Sequence, residues 1–284
     1  MSSRGLGVLA APLLVCTCAC GARTPLDVPS DASSSDASPS DAPAGDAPTR
    51  CPDGGPLELA YALDDVGGLH RYDPLTGQAV ALGTPDCNDD NVQWTMTASS
   101  EYAYIVYTDW TIYAVSLATL ECTQTPFQPG QLGLESEFGV AIVGTGPAER
   151  LYVYGVPSDG SGPILAVSDT TSFVLTKVGD IVFGNAAPAF PVNLTADANG
   201  RLYAFAPTGQ LQVIDPVNAA VLQSFDTGVT TTSTWATLTY GPDLFLWVEG
   251  SVVGFDLATG LTTGDRDAGI DSVGAASFLA CPGP

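Results

Sequence analysis

The chain has 284 residues, with 31 acidic against 8 basic side chains and a formal net charge of −23. So large an acidic excess disfavours nucleic acid and anionic membrane surfaces as partners, since both repel it, and favours solubility, cations and basic partners. With one histidine in the whole sequence, His70, and no Gly-x-Ser-x-Gly elbow beside it, nucleophilic catalysis finds little support, and His70 reads as a structural or surface residue.

Residues 1–20 read as an export signal. Arg4 and the terminal amine precede an apolar run from Leu6 to Val15, which has the length of a secretory core and is too short to cross a bilayer as a helix. Of the cysteines that follow, only Cys20 has a small residue, Ala19, directly before it. Thr17-Cys18-Ala19-Cys20 therefore resembles a bacterial lipobox with Cys20 as the lipidated residue, although Thr17 stands where such boxes usually carry Leu. Ordinary cleavage nearby is the alternative and would release a soluble exported domain.

Residues 21–50 repeat Asp, Ala, Ser and Pro in a five-residue register at Asp31, Asp36, Asp41 and Asp46. With almost no large apolar side chain the segment buries too little surface to offset the entropy of ordering, and it is expected to act as a disordered tether.

From Cys51 to Pro284 the sequence is a series of short apolar runs separated by Gly, Pro, Asp and Thr, the pattern of an all-β domain. Five runs end in one small turn, beginning at Asp73, Ser116, Ser168, Asp215 and Asp256, with spacings of 43, 52, 47 and 41 residues. A period near 46 is that of a four-stranded propeller blade. Asp and Ser side chains bond backbone amides two residues on, and Pro and Gly supply the remaining backbone angles.

Ahead of each turn lies an aromatic strand: Leu59–Leu63, Tyr102–Val106, Leu151–Tyr154, Leu202–Phe205 and Leu244–Trp247. Ahead of four of these lies a run of small and hydroxyl residues, at 94–98, 140–143, 192–195 and 235–239, suited to the crowded innermost strand of a blade. The first repeat has no such run, and the last is followed by Val273–Leu279. This predicts a five-bladed β-propeller of four-stranded antiparallel blades, with the ring closed by the C-terminal strand, which removes open sheet edges at the seam.

The domain keeps four cysteines, Cys51, Cys87, Cys122 and Cys281, an even number that reads as two disulfides in an oxidising compartment and allows three pairings. The favoured one joins Cys51 with Cys281, which flank the closure point, and Cys87 with Cys122, at the outer ends of adjacent blades.

Most Asp residues have turn roles; Asp197-Ala198-Asn199-Gly200, for example, reads as a hairpin turn. Two acidic clusters exceed that background: Asp86, Asp89 and Asp90 with Asn88 and Asn91, and Asp265, Asp267 and Asp271. Calcium is the metal their oxygen donors would suit, although neither follows the EF-hand pattern. Trp94, Trp110, Trp235 and Trp247 are candidates for a carbohydrate site, with strand packing as the competing use.

The stretches 94–106, 121–130 and 138–144, the ending around Val273-Gly274-Ala275 and Ala280-Cys281-Pro282, and the opening Cys20-Gly21-Ala22-Arg23-Thr24 resemble uncharacterised bacterial lipoproteins with propeller-like repeats. The resemblance implies a lipid-anchored protein of the cell envelope and supports the Cys87–Cys122 pairing, since the matching cysteines recur in those relatives. It brings no activity.

The expected function is therefore a monomeric binding or scaffold module, exported and held to the membrane through Cys20, with a protein or carbohydrate ligand and no catalytic residue. The alternative is a metal-dependent hydrolase of the lactonase type, with Asn193 and Glu137 near the axis.

Overall fold

The computed structural model describes residues 59–88, 90–144, 148–182, 191–197 and 199–278. All belong to the second of two units of the chain, Asp46–Pro284, the first being Met1–Gly45. The export signal, Cys20, the tether, Cys51, Cys281 and Asp89 lie outside the described residues.

The strands form five four-stranded antiparallel sheets, each a blade. Blade one holds β1 (Leu59–Asp64), β2 (Leu69–Asp73) and β3 (Gln78–Gly83), and blade two holds β4 (Gln93–Ala98), β5 (Tyr102–Tyr107), β6 (Ile112–Ser116) and β7 (Cys122–Gln124). Blade three is β8 (Phe138–Val143), β9 (Arg150–Gly155), β10 (Ile164–Asp169) and β11 (Thr176–Asp180). Blade four is β12 (Asn193–Ala196), β13 (Leu202–Phe205), β14 (Gln210–Ile214) and β15 (Val221–Asp226). Blade five is β16 (Trp235–Tyr240), β17 (Asp243–Val248), β18 (Ser251–Asp256) and β19 (Leu261–Asp267). The last strand, β20 (Ser272–Phe278), pairs antiparallel with β1, Tyr61 opposite Ala276 and Leu63 opposite Gly274. The ring is thus a five-bladed β-propeller closed by its C-terminal strand, as the sequence predicts.

Burial grades from the axis outward. The second strands are mainly apolar and buried, β13 throughout its length, whereas the outermost β19 is exposed along its whole length. Between blades the faces interdigitate: Tyr72 of blade one meets Trp247 of blade five at 4.5 Å between ring centroids, and Phe127 meets Phe138 at 5.8 Å between blades two and three. Tilted ring pairs of this kind add about 0.5–1.5 kcal/mol beyond their buried area.

The recurrent turn joins the third and fourth strands of every blade. Its first residue accepts the amide of the residue four positions on, Gly77 to Asp73, Leu120 to Ser116, Phe173 to Asp169, Ala219 to Asp215 and Gly260 to Asp256. Each of those closing residues has positive φ, from 52° at Phe173 to 76° at Gly77. The carboxylates of Asp73, Asp215 and Asp256 take the amide two residues on at 2.8 Å, the Asx bond read from the sequence. In blade three the residue in this role is Asp169 rather than Ser168, because Asp169 accepts the amides of Thr171 and Ser172.

Around the axis the innermost strands approach closely enough to exclude side chains. A Cβ on Gly274 of β20 would stand 2.5 Å from the amide nitrogen of Met96 in β4, and one on Gly139 of β8 would stand 2.7 Å from the carbonyl of Val192. Hydroxyls and one carboxamide bond the neighbouring backbones. Thr97 accepts the Ile142 amide at 2.9 Å, Thr239 donates to the Ala196 carbonyl at 2.6 Å, and Asn193 accepts the Thr237 amide at 2.9 Å.

Two further links tie blades at their rims. Cys87, after β3, forms a disulfide with Cys122 of β7, with Cα atoms 5.3 Å apart and a sequence separation of 35, as expected. Arg266 on β19 donates to the carbonyl of Pro74 in the turn of blade one, clasping the last blade to the first.

Replacing Cys87 with Ala removes the constraint on a 35-residue loop and should lower stability by about 3–4 kcal/mol in urea unfolding. Hydrogen bonds from the Ser172 hydroxyl and from the Ser172 and Thr171 amides hold the Asp169 carboxyl at a pKa of about 2. Its folded-state pKa lies below the unfolded value of about 3.9, so its stabilisation is present above about pH 4 and disappears as the pH falls through about 2. Asp169→Asn should accordingly flatten the acid limb of the melting temperature against pH.

Candidate functional site

Alternation of strand direction sorts the connections onto two faces. The turns between first and second and between third and fourth strands share one face, which therefore carries all five Asp and Ser turns. The second-to-third loops and the links between blades share the other. There the first residues of β4, β12 and β16, with Val273 of β20, surround a cavity of about 450 Å³ at the end of the axis.

Its lining combines indole rings with uncharged polar groups: Trp94 and Trp235, Gln93, Thr95, Thr108, Asn193, Ser233 and Thr234. Asp65 contributes the single carboxylate, and no Lys, Arg or His is among the described lining residues. Trp94 lies edge-to-face against both Trp235 and Trp110, with centroids 6.0 Å apart in each pair and interplanar angles of 87° and 79°. Trp110 in turn packs on Phe138 at 5.8 Å, so the aromatic wall continues into the core between blades two and three.

Trp110 adopts φ +64°, a left-handed conformation that bulky L residues rarely take. It closes the second-to-third-strand turn of blade two by donating its amide to Tyr107, as Gly67 does to Asp64 in blade one and Gly209 to Ala206 in blade four. Both glycines also have positive φ, 87° and 88°. A tryptophan thus occupies a position filled elsewhere in the ring by glycine, at a strain of order 1–3 kcal/mol that the surrounding packing must hold.

The floor is built by Asn193, which is 2% exposed. Its Nδ2 donates to the Thr95 hydroxyl at 2.9 Å while its Oδ1 accepts from Thr237, so one carboxamide joins the inner strands of blades two, four and five. One wall is pinned by Glu249, whose Oε1 accepts from the Thr231 hydroxyl at 2.7 Å and the Ser233 hydroxyl at 3.2 Å. These bonds, Thr231 foremost, hold the Glu249 carboxyl below its usual pKa. On the same wall the Trp235 Nε1 and the Thr234 Oγ1 are shielded from solvent and have no hydrogen-bond partner among the described residues.

Of the first acidic cluster singled out in the sequence, Asp86 and Asp90 are exposed, and Asn88 and Asn91 donate to Asp109 at 3.3 and 3.2 Å. For Asp109, burial pushes the carboxyl pKa up, but the Thr111 and Asn88 hydrogen bonds outweigh it and leave the pKa lowered. Asp265 and Asp267 lie on the exposed edge strand β19, where Asp267 accepts the Gly269 amide, and Asp267, Asp271 and Glu249 line a shallow groove beside it. Among the described residues no three His, Cys, Asp or Glu side chains converge in metal-binding geometry. Asp197 forms the expected hairpin turn, accepting the Asn199 and Arg201 amides at 2.9 Å. His70 bonds Asp64 at 2.7 Å within the turn of blade one. Trp247 is buried in the core and donates to the Ile270 carbonyl, so three of the four tryptophans belong to the aromatic wall and one to packing. Glu137 immediately precedes β8 and is not among the lining residues. The Asn193 floor had been read only as one possible metal ligand, since its partners Thr95 and Thr237 lie 98 and 44 residues away in sequence.

No protein-family model and no curated protein matches the chain. Among solved structures, similarity reaches a Bacteroides caccae protein of unknown function, at 11% identity over 75% of this chain and 74% of that one, with a TM-score of 0.41. It also reaches apo AztD from Citrobacter koseri, at 7% identity over 78% and 97% of the two chains and a TM-score of 0.39. Myxococcus xanthus glutaminyl cyclase matches at 15% identity over 62% and 71%, with a TM-score of 0.42.

Asn193→Leu leaves the Thr237 amide without its acceptor in the core of the ring and should cost about 1–3 kcal/mol. A lower urea midpoint with an unchanged slope of free energy against urea would report that loss.

Proposed function

We propose that the chain is an exported, lipid-anchored binding module whose ligand enters the mouth of the central axis beside Trp94 and Trp235. The observation that carries the reading is the composition of that mouth: indole surface and fixed, mainly uncharged hydrogen-bonding groups around a cavity of about 450 Å³. Apolar walls with a few convergent polar groups are the usual makeup of a small-molecule site. The strained Trp110 behind Trp94 fits the same reading, since strained conformations concentrate at binding sites.

Export is supported by the Leu6–Val15 run and by the Cys87–Cys122 disulfide, a bond that persists in oxidising compartments. The anchor is supported by Cys20 and its resemblance to a lipobox cysteine. The tether would hold the propeller clear of the headgroups: some thirty flexible residues reach about 30 Å. In the hydrolase reading Asn193 would serve a metal, yet its carboxamide is engaged by Thr95 and Thr237, which favours binding over catalysis at the axis.

Cells fed an alkyne fatty acid should label the wild-type protein and not Cys20→Ala, and label on the variant would remove the anchor from the proposal. The full-length protein purified in detergent should turn over neither fluorogenic lactones nor nitrophenyl glycosides. Turnover abolished by Asn193→Ala would replace the binding reading with the hydrolase one.

A further inference from the structure

Resting on the reading of the axial mouth as a ligand site, we propose that its occupant is a basic segment of a partner protein. An extended stretch with several Lys or Arg residues lies across this face of the ring and sets one aliphatic stem at the indole wall. The cavity itself supplies apolar surface from Trp94, Trp235 and the exposed Val92, which any ligand with an apolar part would use. What selects the occupant is the charge on the loops around it.

Those loops, the second-to-third connections and the links between blades, carry carboxylates that include Asp65, Asp86, Asp109, Asp159, Glu249 and Asp271, and their sequences contain no Lys, Arg or His. The cations of the described residues stand elsewhere. Arg150 and Arg201 are at strand ends on the opposite face, Arg71 is within β2, Lys177 pairs with Asp180 at 2.6 Å, and Arg266 is engaged by the Pro74 carbonyl. The two faces differ also in what their carboxylates do. Turn amides occupy Asp73, Asp169, Asp215 and Asp256 on the opposite face. On the mouth face the carboxylates of Asp65, Asp86 and Asp271 accept no hydrogen bond among the described residues. Asp65 and Asp271 are neighbours, since the Asp65 amide donates to the Asp271 carbonyl at 3.0 Å, and Glu249, Asp267 and Asp271 continue along the shallow groove.

Free carboxylates with no cation among them set up a negative potential that repels an anion and draws a polycation toward the mouth. A ligand confined to the cavity meets one carboxylate there, Asp65. The others are reached only by something that extends over the face. A polypeptide with spaced basic residues does so, and Lys and Arg stems pack along apolar surface while their charged heads stay at the rim.

The test uses the full-length protein in non-ionic detergent, with calorimetry and tryptophan fluorescence against oligolysine, oligoglutamate and spermine. A chain at −23 attracts any polycation, so the deciding comparison is between two pairs of substitutions that remove equal charge. Asp65→Asn with Asp271→Asn neutralises the lip of the cavity, whereas Glu101→Gln with Asp243→Asn neutralises exposed carboxylates of the opposite face. Oligolysine should bind and oligoglutamate should not, with affinity falling about tenfold or more as salt rises from about 20 to about 200 mM. The lip pair should weaken binding about threefold or more, and the opposite pair by less than about 1.5-fold. Trp94→Ala should weaken it about threefold or more, with circular dichroism showing that the variant is folded. Equal weakening by the two pairs would reduce the effect to net charge and overturn the proposal, as would the absence of oligolysine binding. Affinity unchanged in Trp94→Ala would remove the seat at the indole wall. Spermine bound as tightly as oligolysine, and weakened equally by the lip pair, would replace the polypeptide with a small organic cation. None of these outcomes touches the binding reading, which stands or falls on turnover in the separate assay.

Discussion

Five β-strands placed around one axis each turn an unpaired edge toward the others, and the structure is organised by how those edges are satisfied. A sheet edge with unmatched amides and carbonyls is costly where side chains crowd out solvent. Here Thr97, Asn193 and Thr239 bond the backbones of neighbouring inner strands, and Gly139 and Gly274 let those strands approach to distances no Cβ would allow. The same requirement explains why the inner runs are rich in Thr, Ala and Gly while the second strands carry Tyr, Phe, Leu and Trp. Small residues fill the narrow end of a wedge between blades, and large residues fill the wide end.

The two faces of the ring follow different rules. On one, five turns use the same Asx or Ser bonds and the same left-handed closing residue, whether Gly, Leu, Phe or Ala. Repetition there is structural, and it absorbs carboxylates that would otherwise suggest metal or catalytic chemistry. On the other face the connections diverge in length and composition. Blade five uses a tight turn with positive φ at Glu249 and Gly250, and blade two places Trp110 where blades one and four have glycine. The departure from the repeat at Trp110 coincides with the aromatic mouth.

Legibility in the sequence tracked interaction range. The blade count, the order of strands and the seam came from local signals, namely turn residues, strand-length apolar runs and a run of small residues displaced to the C-terminus. The register of the third turn was misplaced by one residue, since Ser168 and Asp169 can each begin such a turn and only the amide hydrogen bonds to Asp169 decide between them. The acidic stretches at 86–91 and 265–271 looked like ligand sets because their carboxylates are adjacent in sequence. Of the described members, Asp267 and Asp271 share a groove with Glu249, and among the described residues no three such side chains converge in metal-binding geometry.

By itself the sequence determined an all-β ring of five blades and its closure by the last strand, because periodicity and turn chemistry act within a few residues and repeat; of the three cysteine pairings it allowed, the structure shows Cys87 with Cys122. Only the tertiary structure decided which tryptophans share a wall and that Asn193 bridges three blades. These facts depend on side chains from different blades meeting at the axis, and their positions in sequence carry no mark of that meeting.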